Sequence, residues 1–447
     1  MSKRRKFTNY SLFVSCVAAI GGILFGYNTS VISGVLLFIT RDFQLTTFEQ
    51  ELIVSTLLIG ALIGSLAGGL IADSLGRKKT LFATLILFFI GVLTLTIADS
   101  FTYFLVGRFI SGLAVGIVSM AVPLYIAEMS PPENRGALVS LNQLCVTIGI
   151  LLAYLVSYAF AAEADWRDMF ACAFIPIGIQ FVGLFFIAET PSWLISHHKR
   201  ADAEEVLEKI QVHHGHHPHL VNERKEEDGL TKKRFKALLA PSVRMPFLIG
   251  IGVAVFQSIT GINTVIYYAP RIFQLAGFTE TSTALFATVL VGTINVIVTV
   301  IALWLIDRVG RRPLLIAGLI GMAGSLFILG LSFLSQGHAS GLTAIFAMLI
   351  YVGFFAVSLG PVAWLIISEV YPLGVRGRAM GIATFSNWLC NYFVSLTFLT
   401  LIQDLGTSGT FWLYAIICLL GLWFVIRLVP ETKGKTLEEI QSFWKKT

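Results

Sequence analysis

Residues 68–79 read GGLIADSLGRKK: a glycine-containing apolar run ends on Asp73 and a short basic turn. The pattern returns as DRVGRRP at 307–313, again directly after an apolar run. Two further pairs repeat in the same order along the chain, Glu128 with Arg135 matching Glu369 with Arg376, and Glu189-Thr190 matching Glu431-Thr432. Three motifs that recur in one order at nearly one spacing predict a chain built of two duplicated halves.

The composition places these halves in a membrane. Of 447 residues, 56% are hydrophobic and only 13% are charged, with 40 Gly, 35 Phe and a mean hydropathy of +0.80. Soluble domains carry about 25% charged residues, so soluble, disordered and disulfide-rich classes are excluded. Apolar chains rich in small residues are typical of helical proteins with several membrane spans.

Runs of about 20 apolar residues are long enough to cross a bilayer as helices. The first run is too long for a signal peptide and is predicted to remain as a span. Twelve runs are predicted: 11–36, 51–72, 80–98, 102–126, 137–160, 169–188, 247–274, 282–306, 313–334, 342–368, 377–402 and 409–429.

The runs predict an all-α polytopic membrane protein with twelve transmembrane helices in two pseudo-symmetric six-helix bundles. The predicted bundles cover residues 1–190 and 246–430, with a cytoplasmic linker of short helices at 191–245 and a tail at 431–447. The linker holds HHGHHPH at 213–219, which we interpret as a solvated loop rather than a metal site. No cofactor is predicted. Duplicated halves with a site at their interface are common in secondary transporters.

Basic residues set the predicted orientation. All but four of the 32 Lys and Arg fall in segments on the side of the N-terminus, the exceptions being Arg41, Arg108, Arg167 and Arg271. Cytoplasmic segments carry this excess, so both termini are predicted to be cytoplasmic, in a cell membrane. Because the basic clusters lie between apolar runs, the net charge of +6 indicates topology rather than nucleic acid binding.

Neutral polar side chains lie well inside the runs, whereas every His lies outside them and every Asp and Glu lies in a loop or near a helix end. An unpartnered amide in hydrocarbon costs about 4–8 kcal/mol, so a single one would be explained by a bond between helices, but the whole set favours a wet cavity. Amides both donate and accept, which suits an uncharged polyol. These candidates are Gln143, Gln257, Asn263, Asn295, Asn387, Asn391, Trp364 and Trp388.

Eight motifs in order resemble the sugar porter family of the major facilitator superfamily over essentially the whole chain. They are GGLIADSLGRKK (68–79), GRFISGLAVG (107–116), PLYIAEMSPPENRG (123–136), AETPSWL (188–194), QSITGINTVIYYAP (257–270), DRVGRRP (307–313), GPVAWLIISEVYPLGVRGRAMG (360–381) and PETKGKTLEEI (430–440). The resemblance implies alternating-access transport of a monosaccharide, most simply a hexose such as glucose, by a monomer that is not an enzyme.

The resemblance assigns roles to the polar candidates. It implies hexose contacts for Gln143, Gln257, Asn263, Asn295, Trp364 and Asn391, a cavity-lining role for Trp388, and an outer gate at Tyr267 and Tyr268. The sequence departs from common family patterns at Ser258, Ile150 and Ala356, where other members have Gln, Gln and Glu. The preferred sugar therefore stays open.

Charged residues at the cytoplasmic helix ends are predicted to form ion pairs that close the inner side. The alternative is that these charges only set the membrane orientation and cap the helices. The charged residues are Asp73, Arg77, Glu128, Arg135, Glu189, Asp307, Arg311, Glu369, Arg376 and Glu431. Helix interruptions that serve as gates are predicted at Thr260-Gly261, Leu359-Gly360-Pro361 and Gly374, because Gly and Pro loosen helix hydrogen bonding.

Proton coupling depends on the first span. Proton-coupled relatives carry an Asp in a segment like FGYD that faces the Arg of the GRxxxG segment, which is Arg108 here. This chain has Asn28 in the segment Phe25-Gly26-Tyr27-Asn28, and an amide cannot titrate. Facilitated diffusion is therefore favoured. The alternatives are a sugar–proton symporter that uses an acid such as Glu128 or Asp99, and, from another class, a transporter-like sugar sensor. Arg108 is the clear intramembrane charge, either functional or a structural anchor.

Overall fold

A computed structural model describes residues 9–131, 134–210, 241–334, 338–371 and 376–433. Within these ranges the backbone forms helices and short connections, with no strand. Eleven helices are long and apolar enough to cross a membrane, so the chain is an integral membrane protein. This confirms the predicted all-α polytopic class.

Proline, glycine and polar turns divide the helices where the apolar runs end. The helices are Asn9–Ser30, Ile32–Asp42, Thr47–Leu75, Arg77–Thr96, Phe101–Glu128, Arg135–Ala159, Trp166–Ala171, Phe174–Phe185, Pro191–Ser196, Arg200–Ile210, Pro241–Ile259, Ile262–Leu275, Thr281–Val309, Arg311–Ser332, His338–Val357, Leu359–Val370 and Arg376–Leu428.

The twelve predicted runs agree with the eleven candidate spans because the last candidate span contains two helices. The eleventh and twelfth runs share the single candidate span Arg378–Leu428. Gly406 interrupts that span with φ 74° and ψ 163°, so two helices meet there. We number the spans 1 to 12 in chain order, with span 11 ending and span 12 beginning at Gly406.

The predicted limits of the first two runs were wrong by several residues. Span 1 extends over Asn9–Asp42 with a turn at Val31, well beyond the predicted 11–36. Span 2 begins at Thr47, where Glu49 accepts hydrogen bonds from the Thr46 main-chain N–H and hydroxyl and so starts the helix. Glu51, taken as the first residue of its run, therefore lies more than one turn inside the helix.

The predicted interruption of span 7 is confirmed. Gly261 has φ 91° between the helices Pro241–Ile259 and Ile262–Leu275. The hydroxyl of Tyr351 donates to the Thr260 carbonyl oxygen at 2.9 Å, and the Thr264 hydroxyl donates to the Gly261 carbonyl oxygen at 2.7 Å. Side chains thus satisfy carbonyls that the broken helix leaves without their usual partners.

The interruption of span 10 lies slightly earlier than predicted. It falls at Ser358, with φ −122° and ψ −97°, rather than at Gly360 and Pro361. Those two residues lie in the first turn of Leu359–Val370, where a proline costs no helix hydrogen bond. Gly374 lies outside the described residues.

The chain divides into two compact units: Met1–Val35 with Thr56–Asn222, and Leu36–Ser55 with Glu223–Thr447. In the first, Asn9–Ser30 packs against Arg135–Ala159; in the second, Arg376–Leu428 packs against Pro241–Ile259. The start of span 2 therefore belongs to the second unit, although it lies in the first half of the sequence. The linker boundaries at 191 and 245 stay a prediction, and HHGHHPH lies outside the described residues.

Candidate functional site

Two neighbouring helices of the second unit bring two predicted polar residues, Gln257 and Asn387, together with Ser258. The Asn387 side-chain amide donates to Gln257 Oε1 at 2.6 Å and to the Ala254 carbonyl oxygen at 2.8 Å. The hydroxyl of Ser258 donates to the Asn387 carbonyl oxygen at 3.1 Å. These bonds fix the oxygen end of Gln257 and leave its nitrogen, a two-hydrogen donor, without a hydrogen bond to another described residue.

A second set of polar side chains lies farther along the same two spans. The Asn391 amide donates to the Tyr267 hydroxyl at 3.3 Å, and the Ser395 hydroxyl donates to Asn391 Oδ1 at 3.2 Å. Asn387, Asn391 and Ser395 follow one another at intervals of four, so they form a stripe on one helix face. The neighbouring Tyr268 is fully buried and donates to the Ser395 carbonyl oxygen at 3.1 Å.

The other predicted amides keep their hydrogen-bonding capacity. Asn263, Asn295 and Gln143 form no hydrogen bond to another described residue. Asn295 is buried, and Asn263 and Gln143 are half-buried. Amides that find no protein partner inside a span need water or a ligand. Their chemistry, neutral and able both to donate and to accept, matches that of sugar hydroxyls.

The two predicted tryptophans are placed differently. Trp388 is buried, one residue after Asn387. Trp364 is half-buried and packs on the apolar cluster of Ala254, Ile367, Tyr371, Ala379 and Ala383. This packing fixes the Trp364 ring near the helix that carries Gln257.

An apolar groove of about 450 Å³, lined by Gly321, Ser325, Phe346 and neighbours, includes none of the predicted binding residues.

The predicted coupling pair, Asn28 and Arg108, lies together in the first unit. Both residues are 1% exposed, and Arg108 Nη1 donates to the Asn28 main-chain carbonyl oxygen at 2.9 Å. The Asn28 amide donates to the Leu24 carbonyl oxygen at 2.9 Å, while its Oδ1 has no described partner. The guanidinium therefore contacts the backbone of Asn28.

At the predicted cytoplasmic end of the first unit, Arg77 forms two ion pairs. Its Nη1 lies 3.1 Å from Asp73 Oδ1, and its Nη2 lies 3.1 Å from Glu128 Oε1. Glu189 caps the helix Arg77–Thr96: its Oε1 accepts from the main-chain N–H groups of Arg77 at 2.8 Å and Lys78 at 3.1 Å. A carboxylate is favoured there by the unpaired N–H groups and the helix dipole.

The second unit repeats this network with its own residues. Arg311 Nη2 lies 3.2 Å from Glu369 Oε1, as Arg77 does from Glu128. Glu431 accepts from the main-chain N–H groups of Arg311 at 3.1 Å and Arg312 at 3.0 Å, as Glu189 does from Arg77 and Lys78. The sequence repeat therefore corresponds to a repeated three-dimensional arrangement.

The Glu431 cap also affects its own titration. Burial raises the pKa of the Glu431 carboxyl, but main-chain N–H donors from Lys433, Arg311, Arg312 and Thr432 outweigh burial and hold the pKa below its ordinary value. The stability that this cap adds is therefore present at neutral pH and is lost as the pH falls through the lowered pKa.

The contacts of three predicted gating residues are not part of these networks as described. Arg135 is exposed at the start of its helix and forms no ion pair with another described residue, so its gating role stays a prediction. The side chains of Asp307 and Arg376 lie outside the described residues.

Glycine is required where each carboxylate cap closes on its helix. Gly76 has φ 96°, and a Cβ there would lie 2.4 Å from Glu189 Oε2. Gly277 has φ 103° but no atom near its missing Cβ, so it is a matched control. We expect Gly277→Ala to cost about 1 kcal/mol from backbone strain and Gly76→Ala about 3 kcal/mol, because steric overlap with the cap is added. Thermal unfolding in detergent, followed by tryptophan fluorescence, measures both. Equal shifts in Tm would contradict a steric role for the cap.

One buried acidic residue, Glu51, was not predicted from the sequence. Glu51 has no exposed surface and accepts hydrogen bonds from Thr400. The signal was present: Thr46 and Glu49 form a capping pair that moves the helix start ahead of Glu51.

Comparison with known proteins identifies this arrangement. Residues 14–444 match the family model described as "Sugar (and other) transporter". The chain is 39% identical to the glucose transporter GlcP of Staphylococcus epidermidis, covering 98% of this chain and 97% of that protein. It is 38% identical to the galactose-proton symporter of Escherichia coli, covering 96% and 94%.

Solved structures agree. The proton:xylose symporter XylE bound to 6-bromo-6-deoxy-D-glucose superimposes with a TM-score of 0.82 at 36% identity, covering 98% of this chain and all of that one. The apolar spans and these relatives define a membrane transporter of the major facilitator type, not an enzyme. The chain belongs to the sugar porter family of that superfamily.

Proposed function

We propose that this sugar transporter carries a hexose, with glucose as the preferred candidate, by facilitated diffusion. The observation that supports this proposal most strongly is the set of amide side chains on spans 7 and 11. Gln257 is held by its oxygen and keeps its nitrogen available, and Asn387 and Asn391 continue the polar face. A hexose presents hydroxyls that both donate and accept, which such amides can match without any charge.

We propose Gln143, Gln257, Asn263, Asn295, Asn387, Asn391, Trp364 and Trp388 as the residues that contact the sugar or line its cavity. Tyr267 and Tyr268 would form an outer gate, with Gly360 and Pro361 in the first helical turn after the interruption of span 10 at Ser358. In this proposal the transporter is a monomer with both termini in the cytoplasm. It works by alternating access, in which the Arg77 and Arg311 networks hold the inner side closed and loosen when it opens.

The absence of proton coupling is proposed from Asn28. The side-chain oxygen of Asn28 is a buried amide oxygen without a described partner, and an amide holds no exchangeable proton at physiological pH. Coupling requires a group whose pKa changes with conformation, and an amide at this position cannot be that group.

A panel of labelled sugars in proteoliposomes tests the proposal. We expect counterflow of glucose and competition by other hexoses, with uptake that equilibrates and does not accumulate when the outside is made acidic. Counterflow also separates a transporter from a sensor, which would bind sugar without exchanging it. Preference for a pentose would contradict the hexose assignment, and accumulation driven by the pH gradient would contradict facilitated diffusion.

Sugar–proton symport remains the second candidate because relatives such as the galactose-proton symporter carry that description. Of the acids considered for this role, Glu128 is already paired with Arg77. The fully buried carboxylate of Glu51 is the stronger alternative to test if the liposome experiment shows proton coupling.

A further inference from the structure

Glu51 is unusual among the acidic residues of the spans. It has no exposed surface and lies in the helix Thr47–Leu75, where the residues from 52 to 72 are apolar or neutral. No Lys, Arg or His among the described residues lies within ion-pair distance of it. A charged group held in a span without a counter-charge is costly and is usually kept for function.

Both carboxylate oxygens of Glu51 bind one residue of span 11. Oε1 accepts from the Thr400 main-chain N–H at 2.7 Å, and Oε2 accepts from the Thr400 hydroxyl at 2.8 Å. Four residues earlier on the same helix, the Thr47 hydroxyl accepts from the Gln403 side-chain amide at 2.6 Å. The spacings place each pair of residues on one face of its helix, with the helices antiparallel. We name Thr47, Glu51, Thr400 and Gln403 the Glu51 clasp.

The clasp lies at a distinctive place in the chain. Residues Leu36–Ser55 belong to the second compact unit, while the rest of span 2 from Thr56 belongs to the first. The clasp joins this segment to span 11 through polar side chains. According to the proposed orientation, this end of both helices faces the outside.

We propose that the Glu51 clasp is a reversible latch that holds the outer side closed and must open once in each transport cycle. This inference rests on the proposed alternating access, but not on the identity of the sugar or on proton coupling. Glu51 is a positioning residue: it sets the balance between outer-closed and outer-open states without touching the sugar.

The chemistry of the clasp suits a latch. Hydrogen bonds to an ionised carboxylate are stronger than those between neutral groups, which favours the closed state. When the latch opens, water can replace both Thr400 donors, so the lost bonds are largely regained. Thr400 keeps exposed surface while Glu51 has none, so the contact lies at an edge that water can reach first. Because both strong bonds end on a single residue, one small displacement releases them together.

Labelling of an introduced cysteine tests the latch. Ser55 is fully buried, one turn from Glu51 on the same helix face, and Ser55→Cys changes little volume. A membrane-impermeant maleimide added outside reacts there only when the outer side opens, and peptide mass spectrometry separates this site from the five native cysteines. Adding Glu51→Ala to Ser55→Cys should raise the labelling rate about tenfold, because the closed state loses bonds to a charged group.

Conservative variants separate the latch from a general structural role. Glu51→Gln keeps one acceptor for the Thr400 N–H but loses the charge, and should label at a rate between those of Ser55→Cys alone and of the Glu51→Ala variant. Thr400→Val should label at an intermediate rate, since only the hydroxyl is lost. Thr397→Val is the matched control, because the exposed Thr397 hydroxyl bonds only to the Phe393 carbonyl oxygen of its own helix.

The sugar KM for equilibrium exchange checks that each variant is folded, and it should stay within about twofold of the parent because the latch does not contact sugar. An unchanged labelling rate in Glu51→Ala, or equal rates in Glu51→Gln and Glu51→Ala, would overturn the latch. Failure of hexose counterflow would instead contradict the proposed function. The labelling rates would still test the latch, since the maleimide reaction needs no sugar.

Discussion

Gln257→Leu should raise the sugar KM by about 10- to 100-fold with a much smaller change in the maximal rate, because it removes the free amide donor proposed to bind the sugar. The Gln257 oxygen is already held by Asn387, so the nitrogen is the group that can point to a ligand. Leucine has a similar volume, which limits cavity effects. Equilibrium exchange of labelled glucose in proteoliposomes measures the KM.

Gln180→Leu is the matched control for this prediction. Gln180 is also a buried glutamine within a span, but its amide nitrogen donates to the Ala18 carbonyl oxygen at 3.4 Å in the first unit. It is not a predicted sugar contact. Its replacement should affect thermal stability and leave the KM near the parent value. A similar rise in KM for both variants would show that Gln257 has no special place in the site.

Asn28→Asp is expected to change the coupling of the transporter. The substitution places a carboxylate on the residue whose main-chain oxygen contacts Arg108 and removes the donor to the Leu24 carbonyl oxygen. A buried carboxylate near a guanidinium changes its proton affinity whenever conformation alters that contact, which is the physical requirement for coupling. Sugar entry should then alkalinise the outer medium in Asn28→Asp but not in the parent protein.

Asn28→Ser is the neutral control, because it shortens the side chain without adding a titratable group. It should transport without alkalinisation. Alkalinisation by the parent protein would contradict facilitated diffusion; the same assay with Glu51→Gln would then test whether the buried Glu51 carries the proton. Arg108→Ala should remove any coupling gained by Asn28→Asp, since the guanidinium would no longer hold the carboxylate.

Most of the fold follows from the length and polarity of the apolar runs. Twelve runs were sufficient to predict the helical class because the bilayer fixes the length of a span. Boundaries were less predictable, since hydropathy does not detect a cap such as Thr46 with Glu49 or a local break such as Ser358. The break between the last two runs was predicted between residues 402 and 409, and Gly406 lies there; hydropathy could not show that a single residue makes it.

The site was predicted in parts. Side-chain chemistry and spacing indicated Asn387, Asn391 and Gln257; the structure joins Asn387 to Gln257 and Asn391 to Tyr267 through hydrogen bonds. Spacing could not indicate that Arg108 contacts the Asn28 backbone or that Arg135 is exposed, because both depend on how helices pack. Glu51 was missed for a similar reason: its burial is produced by a partner about 350 positions away in the chain.

The paired Glu189 and Glu431 caps have a practical consequence for the study of this molecule. One polypeptide carries the same carboxylate–helix arrangement twice, in the same lipid, at the same expression level and with the same exposure to solvent conditions. A substitution at one cap can thus be compared directly with the equivalent substitution at the other. Any difference between their effects on transport measures how far the two halves differ in function.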